Sequence, residues 1–251
     1  MTTVLCDLDG VVYRGDTLID GSDAALRRLL DEGADVWFVT NNSTRHPKQV
    51  VEKLNELTGL DFAPDRVFTS PQAAVRLLEP GDGPCLVVGE DGIRAALEEA
   101  GFEITTDPAT ARSVMVGLDR ATDYQRIADA AKAVRRGARF IASNDDPTYP
   151  TNDGLLPGAG SMVSAIATAA GRSPEVAGKP NLPMRRLIRS RGIGDAWVIG
   201  DRVDTDIAMA VEEDGWRSIL VLTGVTTEGS PAADLVAADL GEAVNLLLGE
   251  P

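Results

Sequence analysis

The 251-residue sequence contains few cysteine, histidine and aromatic residues, and this scarcity narrows the kinds of site that it can build. The two cysteines, Cys6 and Cys85, have no zinc-type spacing, so we expect both to be reduced thiols in the core. The single histidine, His46, is interpreted as a residue at the start of a helix. No apolar run approaches the roughly 18 residues of a membrane span. Because the first residues lead directly into a predicted strand instead of a signal peptide, we expect a cytoplasmic protein.

Positive charge is also scarce. The chain has 24 lysines and arginines against 39 aspartates and glutamates, which gives a formal net charge of −15 at pH 7. Such a charge repels phosphate backbones and anionic membranes, so we expect no nucleic-acid partner and no membrane partner. A small phosphate ester needs only a local positive pocket. The hydrophobic fraction of 43% supports a sizeable core, and the length predicts one large domain or a core with an inserted unit.

A pair of carboxylates follows the first hydrophobic strand. The alternation of an extended strand sends Asp7 and Asp9 to the same side, roughly 6 to 7 Å apart. Two acids in this arrangement can share a divalent cation, or they can divide nucleophilic and acid–base roles between them. The structural alternative is a polar strand end before a turn at Gly10.

A second predicted strand ends in the neutral hydrogen-bonding residues Thr40, Asn41, Asn42 and Ser43. Pro47 suits the first turn of the helix that follows, and donors near a helix start suit a phosphate group. The alternative is that these residues only cap the N-terminus of the helix, since Ser, Thr and Asn are common N-cap residues.

Two further segments lie far downstream. Lys179, between a glycine and a proline, offers a compact cation that can reach one oxyanion. The alternative is that this lysine is a solvated loop residue. Asp201, Asp204 and Asp206 follow another strand, and three carboxylates within six residues repel one another unless a cation lies among them. Hard oxygen ligands favour magnesium or calcium. Asp204 has the alternative role of capping the next helix.

Taken in order, the segments DLDGVVYRGD (7–16), TNNSTR (40–45), GKPN (178–181) and GDRVDTDI (200–207) resemble the motifs of the haloacid dehalogenase superfamily. They are similar to its NagD-like, p-nitrophenyl phosphatase branch, and the resemblance covers nearly the whole chain. Each motif alone is weak, but four in sequence, each at a strand end or a helix start, form a specific signal. The resemblance implies a phosphoric monoester hydrolase.

The alternation of strand-like and amphipathic helical stretches predicts an α/β fold with a doubly wound, mainly parallel sheet. Strands are predicted near residues 3–7, 35–40, 66–69, 85–89, 113–117, 139–143, 196–200 and 218–222, and helices over 22–32, 48–57, 91–100, 123–136, 160–170, 182–191 and 205–213. The resemblance implies that the motif-free interval forms an inserted α/β cap domain. We therefore predict a hydrolase core over 1–76 and 176–251 and a cap over 77–175, with the site at the carboxyl ends of the core strands.

The resemblance also implies a mechanism, namely magnesium-dependent hydrolysis of a phosphate monoester through an aspartyl phosphate. Asp7 is expected to attack phosphorus, and Asp9 to protonate the leaving oxygen and then deprotonate water. The expected Mg²⁺ ligands are the Asp7 carboxylate, the Asp9 main-chain carbonyl and Asp201, with Asp206 close by, either bound directly or through water. Retained activity in an Asp7→Asn protein would refute the nucleophile.

Substrate contacts are expected from Thr40, the Asn41 amide, Asn42 and Lys179, which would hold the nonbridging phosphate oxygens. In the cap, the turn-rich segment 143–150 is the candidate specificity loop, and its Tyr149 would contact the leaving group. An ordinary surface turn is the alternative for this loop.

Relatives in the resembled branch act on nucleotide monophosphates, pyridoxal phosphate, glycerol phosphate, phosphoglycolate or sugar phosphates, and the cap loop favours none of these. A homodimer through the cap is a further expectation from the resemblance. The main rival function is a catalytically inactive phosphate sensor or interaction protein on the same scaffold. A dinucleotide-binding domain is disfavoured, because Val163 stands where the last glycine of such a fingerprint belongs.

Overall fold

The computed structural model describes residues 2–151 and 154–249. The first elements are β1 (Thr3–Cys6), β2 (Tyr13–Arg14), β3 (Thr17–Leu18), α1 (Ser22–Asp31), β4 (Asp35–Thr40), α2 (Pro47–Thr58), a 3₁₀ turn (Pro64–Arg66), β5 (Val67–Thr69) and α3 (Ser70–Val75). They are followed by β6 (Cys85–Val88), α4 (Asp91–Glu99), β7 (Ile104–Thr105), β8 (Ser113–Val116), α5 (Tyr124–Arg135), β9 (Arg139–Ala142), β10 (Thr148–Thr151), β11 (Gly154–Pro157), α6 (Ala159–Ala170) and β12 (Glu175–Val176). The last are α7 (Leu182–Arg189), β13 (Ala196–Gly200), a π turn (Val203–Ile207), α8 (Ala208–Val211), β14 (Trp216–Val221), β15 (Leu235–Ala237) and α9 (Leu240–Leu248).

Six parallel strands form the first sheet, in the order β15-β14-β13-β1-β4-β5. Successive side chains of a strand point to opposite faces, and the packing follows this alternation. Val4 and Phe38 belong to a core cluster with helices α1, α2 and α9, whereas Leu5 and Val39 belong to a cluster with α3, α7 and α8. Helices therefore cover both faces, and the predicted doubly wound parallel sheet is confirmed.

A second sheet takes five parallel strands from the middle of the chain, in the order β12-β9-β8-β6-β7. One face packs against α5 and α6, and the other contributes Val87, Met115 and Ile141 to the cluster that contains α3 and α7. The two sheets thus share one apolar cluster. We keep the division at 76/77 and 175/176 as a proposal, and β12 crosses its second boundary at Glu175–Val176.

Local chemistry explains where the second helix of the core begins. His46 is the N-cap of α2, where its ring accepts a hydrogen bond from the Lys48 N–H at 3.2 Å. Gln49 returns the contact by accepting from the His46 N–H at 2.9 Å, and Pro47 occupies the first turn. The interpretation of His46 as a helix-start residue is confirmed, and the Thr40–Ser43 segment lies too early to cap this helix.

The predicted helix over 205–213 differs from the observed one. The chain forms a π turn at Val203–Ile207 and only a short helix at Ala208–Val211. The Arg202 carbonyl accepts from the N–H groups of both Asp206 (3.1 Å) and Ile207 (3.2 Å), and the second of these is the wider π-type bond. The capping role considered for Asp204 is wrong, because its exposed carboxylate pairs with the Arg202 guanidinium at 2.8 Å.

The two cysteines are buried free thiols, as expected. Burial and the Asp7 charge, opposed by the Lys179 charge, raise the pKa of Cys6 above its ordinary value, so its thiol is un-ionised at neutral pH. Across residues 2–151 and 154–249, no helix combines the length and the apolar character that a membrane crossing requires.

Candidate active site

The polar segments singled out in the sequence meet at one edge of the first sheet. Strands β13, β1 and β4 are neighbours, so the residues at their carboxyl ends converge. A pocket of about 440 Å³ opens there. Its wall includes Asp7, Asp9, Thr40, Asn41, Asn42, Lys179 and Asp201 from the core motifs, and Asn144, Asp146 and Tyr149 from the 143–150 loop. The loop whose position the sequence left open therefore borders the same pocket.

Three buried carboxylates cluster at this site, and two of them, Asp7 and Asp201, line the pocket. Asp7, Asp201 and Asp206 each present an oxygen atom, and these atoms lie within 4.8 Å of one another. The side chain of Asp9 lies outside this cluster of described acidic groups, and the contribution expected from its main-chain carbonyl stays a prediction. The expected convergence of acids from opposite ends of the chain is observed for Asp7, Asp201 and Asp206.

Lys179 stands between two of these acids. Its Nζ donates to Asp7 Oδ1 and to Asp206 Oδ1, both at 2.6 Å, and to the Val39 carbonyl at 2.9 Å. Burial disfavours the charged ammonium, but the carboxylates of Asp206 and Asp7 outweigh it, so the pKa of Lys179 is raised. The lysine is therefore a fixed positive charge and not a solvated loop residue.

Burial also governs the acids themselves. It raises the pKa of Asp7 well above its ordinary value, opposed by Lys179 and supported by the Asp206 charge. Burial and the Asp206 charge raise the pKa of Asp201 to about 7. Both shifts show that one lysine does not compensate this much buried negative charge, and a bound cation would lower both pKa values.

The residues present fit a hard divalent cation. Among the described residues, Oδ1 of Asp201 is a buried carboxylate oxygen without a hydrogen-bond donor. Its other oxygen, Oδ2, accepts from the Val225 N–H at 2.6 Å. A buried acceptor without a partner is costly, and Asp201 belongs to a cluster of three carboxylates, an all-oxygen ligand set of the kind that Mg²⁺ and Ca²⁺ prefer.

A loop that the motifs do not include holds Asp201 in place. A β-carbon at Gly224 would lie 1.9 Å from Oδ2 of Asp201, and one at Gly10 would lie 2.6 Å from the same atom. Gly10 also has a φ of 93°, which favours glycine. The Thr223 hydroxyl donates to the Gly10 carbonyl at 2.6 Å and ties the two loops together. Sequence reasoning missed residues 223–225, although their place directly after a core strand was an available signal.

Asp9 is half-buried beside the cluster and faces the pocket. The Asn42 amide donates to its Oδ2 at 3.5 Å, and Asn42 is itself oriented because its Oδ1 accepts from the Thr44 N–H and hydroxyl at 3.0 and 2.7 Å. Burial raises the pKa of Asp9, against the opposing charge of Lys53 and the Asn42 hydrogen bond. A carboxyl group with a raised pKa can hold a proton for a leaving group.

Asn41 connects three parts of the structure. Its Oδ1 accepts from the Lys179 N–H at 2.8 Å, and its Nδ2 donates to the Lys179 carbonyl at 3.2 Å. The same Nδ2 reaches both carboxylate oxygens of Asp146, at 3.1 and 3.2 Å. Burial raises the pKa of Asp146 to about 6, opposed by the Arg202 charge. Sequence reasoning singled out the loop of Asp146 but not this residue.

Tyr149 lies on β10, paired with Leu156 of β11, and lines the outer part of the pocket. Arg202 pairs with Asp204 and donates to the Thr148 carbonyl at 3.4 Å. The motif after β13 is thus joined directly to the 143–150 loop.

Comparison with known proteins decides the family. Residues 4–103 match the model of haloacid dehalogenase-like hydrolases, and residues 176–243 match a second model of HAD-like hydrolases. The chain is 40% identical to the 5'-nucleotidase YutF of Bacillus subtilis over 227 residues, which are 88% of this chain and 87% of that protein. The chain belongs to the haloacid dehalogenase-like hydrolase family.

Solved structures of this family share the fold over nearly the whole chain. The p-nitrophenyl phosphatase from Archaeoglobus fulgidus superposes with a TM-score of 0.87 at 32% identity, covering 98% of each chain. A glycerol phosphate phosphatase from Mycobacterium tuberculosis, in complex with magnesium, superposes with a TM-score of 0.85 at 36% identity, covering 95% of this chain and 74% of that one. The predicted family, and with it the class of phosphoric monoester hydrolase, is confirmed.

Proposed function

We propose that the protein is a magnesium-dependent phosphatase that hydrolyses small phosphate monoesters through an aspartyl phosphate on Asp7. The observation that carries the proposal is the cluster of Asp7, Asp201 and Asp206, with Lys179 between Asp7 and Asp206, beside an open pocket that Asp7, Lys179 and Asp201 line. The mycobacterial relative has been solved in complex with magnesium and also with calcium, which supports a hard divalent cation at this place.

Asp7 is the nucleophile of this proposal. Lys179 engages its Oδ1, and among the described residues no hydrogen-bond donor contacts Oδ2, which leaves that oxygen available to the substrate. Oδ2 attacks phosphorus as the bond from phosphorus to the leaving oxygen breaks. Asp9 donates a proton to the leaving oxygen and then, as a carboxylate, removes a proton from water. The water oxygen attacks phosphorus, the bond to Asp7 breaks, and inorganic phosphate leaves.

A divalent cation would be held by Asp7, Asp201 and Asp206, with the Asp9 main-chain carbonyl as the ligand that the resemblance adds. When bound, it supplies charge compensation between the carboxylate nucleophile and the phosphate dianion. Lys179 contributes a fixed positive charge beside the same nucleophile.

The remaining residues bind and orient the ester. Thr40, the Asn41 amide, Asn42 and Lys179 hold the nonbridging oxygens, where negative charge spreads in the transition state. Tyr149 contacts the leaving group from the outer wall. The candidate leaving groups are those of nucleotide, sugar, glycerol and pyridoxal phosphates and of p-nitrophenyl phosphate, and a metabolite panel assayed for released phosphate ranks them.

Release of phosphate from p-nitrophenyl phosphate, with and without magnesium, tests the proposal. We expect turnover that depends on the ion, and its loss in Asp7→Asn, because an amide cannot form the acyl phosphate. The control is Asp23→Asn, which makes the same chemical change in the first turn of α1, away from the pocket lining. A folded wild-type protein that binds phosphate without turnover would favour the inactive sensor instead.

A cytoplasmic location and a homodimer through the inserted unit complete the proposal. Light scattering after size-exclusion chromatography measures the second directly.

A further inference from the structure

Arg45 differs from the other described cationic side chains of the pocket wall in its contacts. Among the described residues, five cationic side chains line the pocket, namely Arg45, Lys53, Arg120, Lys179 and Arg202. Four of them form ion pairs: Lys53 with Asp16, Arg120 with Glu90, Lys179 with Asp7 and Asp206, and Arg202 with Asp204. Within the part of the chain that the structure describes, the guanidinium of Arg45 has neither an ion pair nor a hydrogen bond. It is nevertheless half-buried, so its charge is not fully solvated.

The backbone around Arg45 is fixed by its neighbours. The Gly92 N–H donates to the Thr44 carbonyl at 3.1 Å, and a β-carbon on Gly92 would lie 2.8 Å from the backbone nitrogen of Arg45. The next residue, His46, is held as the N-cap of α2 and by Glu99 at 2.8 Å. Arg45 is therefore held in the pocket wall by contacts that do not involve its own charge.

None of the described acids near this wall forms an ion pair with Arg45. Asp16 forms an ion pair with Lys53. Glu90 accepts two hydrogen bonds from Arg120, at 2.8 Å from Nε and 2.7 Å from Nη2. Asp9 in the pocket wall, and Glu52 and Glu56, which border an adjoining groove together with Arg45, form no ion pair with it among the described residues. The positive charge of Arg45 is therefore not fixed by a paired carboxylate, in a pocket that already provides Lys179 for the scissile phosphate.

We propose that Arg45 forms a subsite for a second anionic group, so that the enzyme prefers phosphate monoesters whose leaving group carries a carboxylate or another phosphate. This inference rests on the proposed function and narrows its substrate class. A guanidinium binds either group through two parallel charge-assisted hydrogen bonds, which explains the use of arginine at this position. The pocket volume of about 440 Å³ suits a small ester of this kind.

Matched substrate pairs test the subsite. 3-Phosphoglycerate and glycerol 3-phosphate differ in a carboxylate against a hydroxymethyl group, and propane-1,3-diol bisphosphate and 3-hydroxypropyl phosphate differ in the second phosphate. We expect wild-type kcat/KM to be higher for at least one charged member. Arg45→Met should lower the ratio of kcat/KM for the charged ester to kcat/KM for the neutral ester by about tenfold or more. Arg45→Lys should lower this ratio by less, because the ammonium keeps the charge but cannot donate two parallel hydrogen bonds. The pair that responds identifies the anion.

Arg27→Met is the matched control, because it removes the same charge from an exposed position on α1 outside the pocket. Its ratio should equal that of wild type. No wild-type preference for either charged ester, or an unchanged ratio in a folded Arg45→Met protein, overturns the inference while the phosphatase assignment stands. Absence of turnover with every ester, p-nitrophenyl phosphate included, overturns the proposed function. Calorimetric titration of the four esters into Asp7→Asn, with and without Arg45→Met, measures the subsite without turnover, and an unchanged ratio of dissociation constants contradicts it.

Discussion

The amide nitrogen of Asn41 contacts both carboxylate oxygens of Asp146, at 3.1 and 3.2 Å, although 105 positions separate the two residues. Asn41 follows β4 of the first sheet, and Asp146 lies in the loop after β9 of the second sheet. The other contacts of the Asn41 amide go to the Lys179 backbone. One side chain thus connects the outer loop to the position of the lysine beside Asp7.

This relationship predicts that Asp146 acts on turnover without touching the scissile phosphate. Asp146→Ala should lower kcat/KM for p-nitrophenyl phosphate by about tenfold, because a buried amide loses a charged acceptor worth about 1.5 to 3 kcal/mol. Asp146→Asn should lose less, since its amide oxygen can still accept from Asn41. Steady-state kinetics of the two variants provide the comparison, and equal activities for wild type and Asp146→Ala would contradict the coupling.

Lys179 separates two buried carboxylates, and its removal should destabilise the protein. Lys179→Met leaves Asp7 and Asp206 without their shared cation, so we expect the free energy of unfolding to fall by about 3 kcal/mol or more in EDTA. Urea titration measures the change, and added Mg²⁺ should reduce the deficit by compensating the same charges.

Lys48→Met is the control for this variant, because Lys48 is exposed on the first turn of α2. Its stability should stay close to that of wild type. Equal stability of Lys179→Met and Lys48→Met would show that the buried acids do not need the lysine.

The sequence predicted the elements and residues whose placement follows from strand periodicity and from the carboxyl-end rule. Asp7, Thr40 and Asp201 each end or follow a parallel strand, so their convergence needed only the topology. Contacts that depend on the path of loops were not predictable in this way. The approach of Asp146 to Asn41 requires the packing of the second sheet on the first, which periodicity does not encode.

Local competition between hydrogen bonds limited the sequence prediction elsewhere. The segment after β13 has the periodicity of a helix, yet the Arg202 carbonyl accepts from both Asp206 and Ile207, and the turn widens. That distortion accompanies the burial of Asp206 beside Lys179. A helical pattern does not show the contact between Asp206 and Lys179, which lie 27 residues apart in the sequence.

Gly224 should be essential for the position of Asp201. A methyl group at this residue would lie 1.9 Å from Oδ2 of Asp201, so Gly224→Ala must displace the carboxylate. We expect the magnesium concentration for half-maximal activity to rise about 10- to 100-fold, the usual effect of disturbing a residue that supports a metal ligand. Gly229→Ala is the control, since its β-carbon would approach no atom closer than 3.8 Å. A normal magnesium requirement in Gly224→Ala would remove Asp201 from the proposed ligand set.

Removal of Asp9 should lower turnover most for esters whose leaving group needs a proton. Asp9→Asn cannot transfer a proton, so turnover of an alkyl phosphate such as glycerol 3-phosphate should fall by about 10² to 10⁴. Turnover of p-nitrophenyl phosphate should fall less, because p-nitrophenolate leaves without protonation. The ratio of the two losses, measured by released phosphate, checks the assignment. Equal losses would indicate that Asp9 acts only on the second step or on binding.

The raised pKa of Asp201 makes both stability and metal binding depend on pH. The folded protein holds the Asp201 proton up to about pH 7, whereas the unfolded chain loses it near the ordinary value of 3.8. Between these values the unfolded state binds fewer protons, so without a divalent cation the free energy of unfolding should decrease as the pH rises from about 4 to 7. Asp146, with a pKa of about 6, adds a change of the same sign over a narrower range.

Magnesium binding should have the opposite pH dependence. The ion requires ionised carboxylates and therefore competes with the Asp201 proton, so the rise in Tm on adding Mg²⁺ should be larger at pH 8 than at pH 5. Asp201→Asn removes this titrating group and should reduce the magnesium-dependent shift at pH 8. Thermal unfolding with and without Mg²⁺ at the two pH values measures both effects. An equal rise in Tm at pH 5 and pH 8 would mean that the ion binds away from the buried acids. Binding at the buried acids requires the ion to displace a proton at pH 5, and binding elsewhere does not.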